Sequence, residues 1–139
     1  MCMRRRLSYF LGFVAVLSMV LSGCSPAASG PSTTLNVDLA DFSFTPSTYT
    51  IPTGKEITLN LNNKGANVHE WVLMKAGTSV TPPFGDKDEG NIYWELDEVQ
   101  PGTKKSGTFT APAAGTYQVV CGTPGHIEHG MVGTLTVVQ

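Results

Sequence analysis

The sequence predicts an all-β protein, an antiparallel β-sandwich of seven to eight short strands. Three observations support this fold class. Apolar and polar residues alternate with a period of two over several short runs, and turn-forming residues recur about every ten positions. No stretch has the amphipathic period of a helix over the length of a helix. The alternating pattern starts at Leu35, so we expect the sandwich over residues 35–139.

The first predicted strands alternate clearly. Residues 35–44 form one run, which a bulge near Asp41 interrupts and a proline ends. Residues 49–51 form a short strand, and residues 57–61 place an apolar side chain at every second position, as in a half-buried strand. The following residues, 62–65, are Asn-Asn-Lys-Gly and predict a turn.

The second half begins with a run of a different kind. Residues 68–74 are mostly apolar, which is typical of a strand buried on both faces. Residues 77–90 contain prolines, glycines and acids without a regular pattern, so we expect a loop with at most a short helical turn. The remaining predicted strands are residues 92–99, whose pattern is ambiguous, 106–110, 116–121 and 133–138.

The N-terminal segment, residues 1–23, is typical of a secretion signal. Three arginines at positions 4–6 precede an apolar run, residues 7–21, that is too short to span a membrane comfortably. The sequence Leu-Ser-Gly before Cys24 resembles a bacterial lipobox, in which the cysteine is lipidated and becomes the first residue. An ordinary signal peptide cleaved nearby and an uncleaved anchor are the alternatives. Each of them predicts an exported domain.

Residues 24–34 are rich in Ser, Pro, Ala and Gly, and they predict a flexible tether between lipid and domain, or a leader remnant without a role. We therefore expect a protein anchored to the cell membrane that faces the periplasm or the cell exterior. If the leader takes Cys2 with it and Cys24 carries lipid, Cys121 has no disulfide partner. A free thiol is a liability in an oxidising compartment, whereas a metal-bound thiolate is shielded.

The charge of the exported part excludes one class of partner. Without residues 1–23 the chain keeps six basic and all eleven acidic residues, which gives a formal net charge of −5. Nucleic-acid binding requires a basic surface, so we expect no nucleic-acid partner.

The side chains best suited to bind a metal lie in one stretch near the C-terminus. This stretch has Cys121, His126, His129 and Met131 within eleven residues. Their spacing contains the pattern C-x4-H-x4-M. A thiolate, imidazole nitrogens and a weak thioether are the ligands of a one-electron copper site. Such a site needs a second imidazole, and His69 is the only histidine outside this stretch. We therefore expect one copper ion with His69, Cys121 and His126 in its plane and Met131 as a long axial contact.

His126 is preferred to His129 because of the residues around it. Pro124 and Gly125 favour a tight turn that brings the ring of His126 back towards Cys121. His129 lies only two residues before Met131, so the two side chains cannot easily approach one ion from different directions. We expect His129 to be exposed.

These segments resemble the type 1 blue copper proteins, or cupredoxins. The resemblance rests on Tyr117-Gln-Val-Val-Cys121, Pro124-Gly125-His126, Gly130-Met131 and the C-terminal Gly133-Thr-Leu-Thr-Val. The C-x4-H-x4-M spacing is similar to that of azurins and auracyanins, whereas plastocyanins have a shorter gap between Cys and His. The resemblance covers residues 35–139, and it implies a Greek-key β-sandwich and the transfer of single electrons.

Two positions depart from the family pattern. Those families commonly have Asn directly after the first histidine ligand, where it ties the two ligand loops together, and this chain has Glu70. Azurin has Gly before that histidine, where a backbone carbonyl approaches the copper. Val68 stands there in this chain, so we expect no carbonyl ligand.

The leading functional expectation is an electron carrier, a monomer that uses the Cu(I)/Cu(II) couple outside the cytoplasm. Its partners would be redox proteins, either a cytochrome or a membrane electron-transfer complex. A copper-binding module for storage or delivery is the alternative, and a metal-free adhesion module is a third. We expect no enzyme, because no histidines remain for a second, oxygen- or nitrite-binding copper. A dinuclear centre would need a second cysteine, and position 125 is Gly.

Overall fold

The computed structural model of the protein describes residues 30–139. The predicted signal peptide at residues 1–23, the lipidation site Cys24 and most of the 24–34 tether lie outside the described residues. Within the described range, no helix is long and apolar enough to cross a membrane.

The described residues form nine strands and one short helix, so the predicted all-β class is confirmed. In chain order these are β1 (Thr34–Ala40), β2 (Ser43–Thr45), β3 (Thr48–Pro52), β4 (Glu56–Asn63), β5 (His69–Met74), α1 (Asp86–Glu89), β6 (Ile92–Val99), β7 (Lys104–Thr110), β8 (Gly115–Val120) and β9 (Val132–Val138). One sheet has the order β2-β1-β4-β7, and the other has the order β3-β9-β8-β5-β6.

The two sheets are mixed rather than purely antiparallel. Strand β1 pairs with β4 in parallel, and β3 pairs with β9 in parallel, whereas the other pairings are antiparallel. Alternation of apolar residues reports which face of a strand is buried and not the direction of its neighbour. The sequence therefore predicts the strands of this sandwich without revealing these two parallel pairs.

The core lies between the two sheets and consists of the side chains at alternate positions. In β4, for example, Ile57, Leu59 and Leu61 are fully buried, and the residues between them are partly exposed. Such burial stabilises the fold by about 1.5–3 kcal/mol for each large apolar side chain.

Strand β5 is buried on both faces, as its apolar run predicts. Trp71 and Leu73 point into the main core, and Val72 and Met74 join a second cluster with Val80. This second cluster forms because the segment between β5 and β6 packs over the outer face of the sheet. The covering buries the second face of the strand that begins at His69.

Two local predictions differ from the structure. The expected bulge near Asp41 is a tight turn, after which β2 folds back antiparallel to β1. The residues Asn62 and Asn63, which predict a turn, instead end β4. Asn63 is buried, and its amide donates to the carbonyls of Asn67 and Val99, both at 2.8 Å. A buried amide that is satisfied in this way stabilises the strand end rather than disrupting it.

Candidate metal centre

The topology brings three segments to one end of the sandwich. Strand β5 begins beside the end of β8, because the two strands run antiparallel. The loop of residues 121–131 connects β8 to β9 at that end. The turn between β1 and β2 lies there too, since β1 runs parallel to β4 and both strands end there.

Three of the predicted ligand side chains face one another at this end. The sulfur of Cys121 lies 3.3 Å from Nδ1 of His126 and 3.9 Å from Nδ1 of His69, and the two Nδ1 atoms are 3.1 Å apart. Donors about 2.0–2.3 Å from one transition-metal ion lie roughly 3–4 Å from one another. The donor set therefore fits one metal ion, and soft sulfur with imidazole nitrogen suits copper.

All three residues are shielded from solvent. His69 and Cys121 are 0% exposed, and His126 is 6% exposed. Burial raises the pKa of the Cys121 thiol, and the backbone N–H of Glu70, which donates to Sγ at 3.4 Å, opposes this shift. Burial also lowers the pKa of His126, and the neighbouring His69 adds to the effect. A lowered pKa keeps the imidazole neutral, as metal ligation requires.

Hydrogen bonds of the backbone shape the ligand loop. The N–H of Cys121 donates to the carbonyl of Met131 at 3.2 Å, and the N–H of Met131 donates to the carbonyl of His126 at 3.0 Å. Gly125, with φ of +85°, supplies the left-handed turn before His126. The loop therefore closes on itself and brings Met131, which is fully buried, into the same core cluster as Cys121.

His129 lies outside this group of donors, as the sequence predicts. Its side chain is exposed, and its Nδ1 is 2.7 Å from the carbonyl oxygen of Gly125. Its ring stacks on that of Phe42, with centroids 4.6 Å apart, and Phe42 meets the ring of His126 edge-on at 4.8 Å. Phe42 thus packs between the exposed and the buried histidine.

The hydrogen bonds that link the two ligand segments do not use the side chain of the residue after His69. The Glu70 backbone N–H contacts the sulfur of Cys121, and the hydroxyl of Thr123 donates to the carbonyl of Val68 at 3.2 Å. These two bonds stand where the family pattern has an Asn side chain, since position 70 is Glu. Thr123 was missed, although a hydroxyl residue within the ligand loop is a natural hydrogen-bond donor.

Asp41 was also missed as part of the site. Its carboxylate accepts from Nε2 of His69 at 2.7 Å and from the backbone N–H of Ala66 at 2.9 Å. The Ala66 hydrogen bond is the largest cause that lowers the pKa of Asp41 to about 2, and the bond to His69 adds to it. The only sequence signal was that Asp41 interrupts an alternating strand.

Known proteins with similar sequence and structure agree with this geometry. The family of cupredoxin-like domains matches residues 13–137. Auracyanin-A of Chloroflexus aurantiacus is 29% identical in a match that covers 84% of this chain and 88% of that protein. Auracyanin-B of the same organism is 31% identical in a match that spans 77% of this chain and 53% of auracyanin-B.

The structural similarity is of the same kind. The reduced auracyanin of Roseiflexus castenholzii superposes with a TM-score of 0.69 and 33% identity, over 79% of this chain and all of that one. The family match and the buried cluster of His69, Cys121 and His126 identify a type 1 copper site that serves electron transfer rather than catalysis. The chain belongs to the cupredoxins, the family of blue copper electron carriers.

Proposed function

We propose that this cupredoxin carries single electrons between redox proteins outside the cytoplasm, on one copper ion held by His69, Cys121, His126 and Met131. The observation that supports it most is the buried convergence of one sulfur and two Nδ1 atoms. Bound copper supplies a one-electron couple at such a site. The protein's part is to hold these donors and to keep water away from them.

The hydrogen bonds around the site favour a carrier over a storage module. Strand β5 and the ligand loop are tied together by the bonds from Glu70 to Cys121 and from Thr123 to Val68. A carrier benefits from donors that hold their places in both oxidation states, whereas a delivery module has to release its metal. Because two separate elements fix the ligands, the donors should move little when the copper changes its charge.

The visible spectrum of the purified protein tests this proposal. We expect one tightly held copper ion, an intense blue colour in the oxidised protein, and reversible bleaching when a one-electron reductant is added. Colourless protein that exchanges copper freely would support storage or delivery instead. Protein that binds no copper would contradict both functions and leave the adhesion module.

Met131 is proposed as the axial ligand, and it gives a test of its own. Replacement of Met131 with Gln should keep the blue colour and lower the reduction potential, because an oxygen donor favours Cu(II) more than a thioether does. We expect a shift of at least about 59 mV, which is a tenfold change in the relative affinity for the two oxidation states. Cyclic voltammetry of the copper-loaded variant measures it.

The matched control is Met74→Gln, because Met74 is also buried but belongs to the second apolar cluster. Both variants place an amide in an apolar environment and should lower the melting temperature. Only the Met131 variant should change the potential. Equal potentials in both variants and the wild type would mean that Met131 is a core residue and not a ligand.

We propose that lipid on Cys24 anchors the domain to the membrane. The apolar run at residues 7–21 and the small residues before Cys24 support this. The tether ends by Ser32, because the backbone N–H of Ser32 donates to the carbonyl of Thr50 in the domain. Seven residues lie between Cys24 and Ser32, so the eight Cα–Cα steps of the tether would reach at most roughly 25–30 Å. The intact mass of the native protein should show a chain that begins at Cys24 with added acyl groups. An unmodified N-terminus elsewhere would contradict the anchor.

We propose further that the redox partner presents a basic surface. A groove beside strand β5 is lined mainly by carboxylates. One of them, that of Asp97, forms an ion pair with Lys105. The acidic residues that line it are Glu70, Glu89, Glu95, Asp97 and Glu98. Burial and the neighbouring carboxylates raise the pKa of Glu70, which shows how closely these charges are grouped. Such a surface attracts lysines and arginines of a partner.

The variant Glu95→Gln/Glu98→Gln tests the groove. Electron transfer to a cytochrome with a basic surface should become roughly three- to tenfold slower at low ionic strength. The difference should vanish at high ionic strength, because salt screens exposed charges. The control Asp38→Asn/Glu56→Gln removes two carboxylates from the other sheet and should change the rate little. Equal slowing in both variants would mean that only the net charge matters.

A further inference from the structure

The outer nitrogen of His69 is bonded to a carboxylate rather than to solvent. Nδ1 of this ring faces Cys121 and His126, and Nε2 lies 2.7 Å from Oδ1 of Asp41. The His69 side chain is fully buried, and that of Asp41 is 25% exposed. The two residues are 28 positions apart, so the fold and not local sequence brings them together.

Asp41 is itself held in place by two further hydrogen bonds. The N–H of Ala66 donates to its Oδ2 at 2.9 Å, and the N–H of Asn67 donates to its Oδ1 at 3.3 Å. The carboxylate therefore connects the turn between β1 and β2 with the segment that leads into β5. These bonds to the backbone orient the carboxylate towards His69.

Gly65 covers this hydrogen bond. A Cβ atom at position 65 would lie 2.9 Å from Nε2 of His69 and 3.0 Å from Cγ of Asp41, and it would collide with Oδ1. The backbone can pass so close to the bonded pair only because residue 65 has no side chain. The close passage keeps water from competing for the histidine proton.

We propose that Asp41 is a positioning residue of the copper site, which holds the proton of His69 on Nε2 and lowers the reduction potential through its negative charge. A neutral imidazole carries one N–H, and a carboxylate can only accept, so the bond places that proton on Nε2. Nδ1 then presents its lone pair to the metal. The site gains one positive charge on oxidation, and a nearby carboxylate favours the more highly charged state. The inference rests on His69 being a ligand.

Two variants separate the charge of Asp41 from its hydrogen bond. Asp41→Asn keeps a carbonyl oxygen that can accept from Nε2 but removes the charge, whereas Asp41→Ala removes both. For Asp41→Asn we expect retained blue colour and a potential raised by about 59 mV, a tenfold change in the relative affinity for Cu(II) over Cu(I). For Asp41→Ala we expect at least the same rise, together with a loosened His69.

Nitrogen NMR of labelled histidine detects the bond directly in the reduced protein, which is diamagnetic, and in the copper-free protein. In the wild type, His69 should be the Nε2–H tautomer with slow exchange of that proton. In Asp41→Ala the proton should exchange at least tenfold faster. Gly65→Ala should also speed this exchange, because the added methyl group displaces Asp41 while its charge remains nearby.

The control is Asp38→Asn, which removes a carboxylate on β1 that pairs with Lys64 at the surface. It should change neither the potential nor the exchange of the His69 proton. Wild-type potential in Asp41→Asn, or an Nδ1–H tautomer in the copper-free wild type, would overturn the proposal. A wild type that binds no copper would refute the proposed function, whereas the tautomer of the copper-free protein would still test the role of Asp41.

Discussion

Replacement of Cys121 with Ser is expected to abolish the intense blue absorption of the copper-loaded protein. The colour of such sites arises from charge transfer between a thiolate and copper, and serine offers no thiolate. The hydroxyl is a poor ligand because it keeps its proton near neutral pH. We expect a visible band at least about tenfold weaker at equal copper content, measured by absorption spectroscopy together with metal analysis.

The substitution should leave the copper-free fold nearly unchanged. Serine is close to cysteine in size, and its oxygen can accept the N–H of Glu70 that now donates to Sγ. The buried hydroxyl should cost about 1 kcal/mol of stability, which thermal unfolding of the copper-free proteins measures. In the wild type, copper should raise the melting temperature, since a ligand that binds only the folded state stabilises it. The Ser variant should lose most of this gain. Intense absorption in the Ser variant with Cu(II) would mean that Cys121 is not the ligand.

The site divides into a part that local sequence reveals and a part that it does not. Cys121, His126 and Met131 are linked by one short loop, so their spacing alone carries information about their geometry. His69 could be found because the chain has only three histidines. Asp41 could not be found in this way. Its contact with His69 depends on the parallel pairing of β1 with β4, and an alternating pattern does not report strand direction.

The fold shows the same limit. Apolar alternation predicts the strands because a strand with one buried face has an apolar residue at every second position. Turn-forming residues are less reliable, as Asn63 illustrates. Asparagine is common in turns, yet this amide is buried and bonded to Asn67 and Val99. One of these partners, Val99, lies 36 positions along the chain, and no local pattern predicts that contact.

The second large effect concerns the two histidines of the ligand loop. His126→Gly should remove most of the blue colour and open the site, so that added imidazole restores the absorption. The loop should keep its shape in this variant, because the hydrogen bonds that hold the loop at position 126 are made by the backbone. Its N–H donates to Thr123, and its carbonyl accepts from Met131. Glycine preserves both bonds while it removes the ring.

His129→Ala is the matched control within the same loop. It should leave the blue spectrum nearly intact, because its ring faces Phe42 and the carbonyl of Gly125 instead of Cys121. Loss of that hydrogen bond and of the stacking should cost about 0.5–1.5 kcal/mol of stability. Absorption spectra with and without imidazole, at equal copper content, distinguish the two variants.

Access to the ligand decides the outcome of the imidazole experiment. His126 is 6% exposed, whereas His69 is fully buried behind Asp41, so a vacated position 126 is the one that external imidazole can reach. The same small exposure leads us to propose that electrons leave through the ring edge of His126, which Phe42 contacts edge-on. A small contact area suits a short-lived complex between redox partners. If His129→Ala lost the colour while His126→Gly kept it, the ligand assignment would have to be reversed.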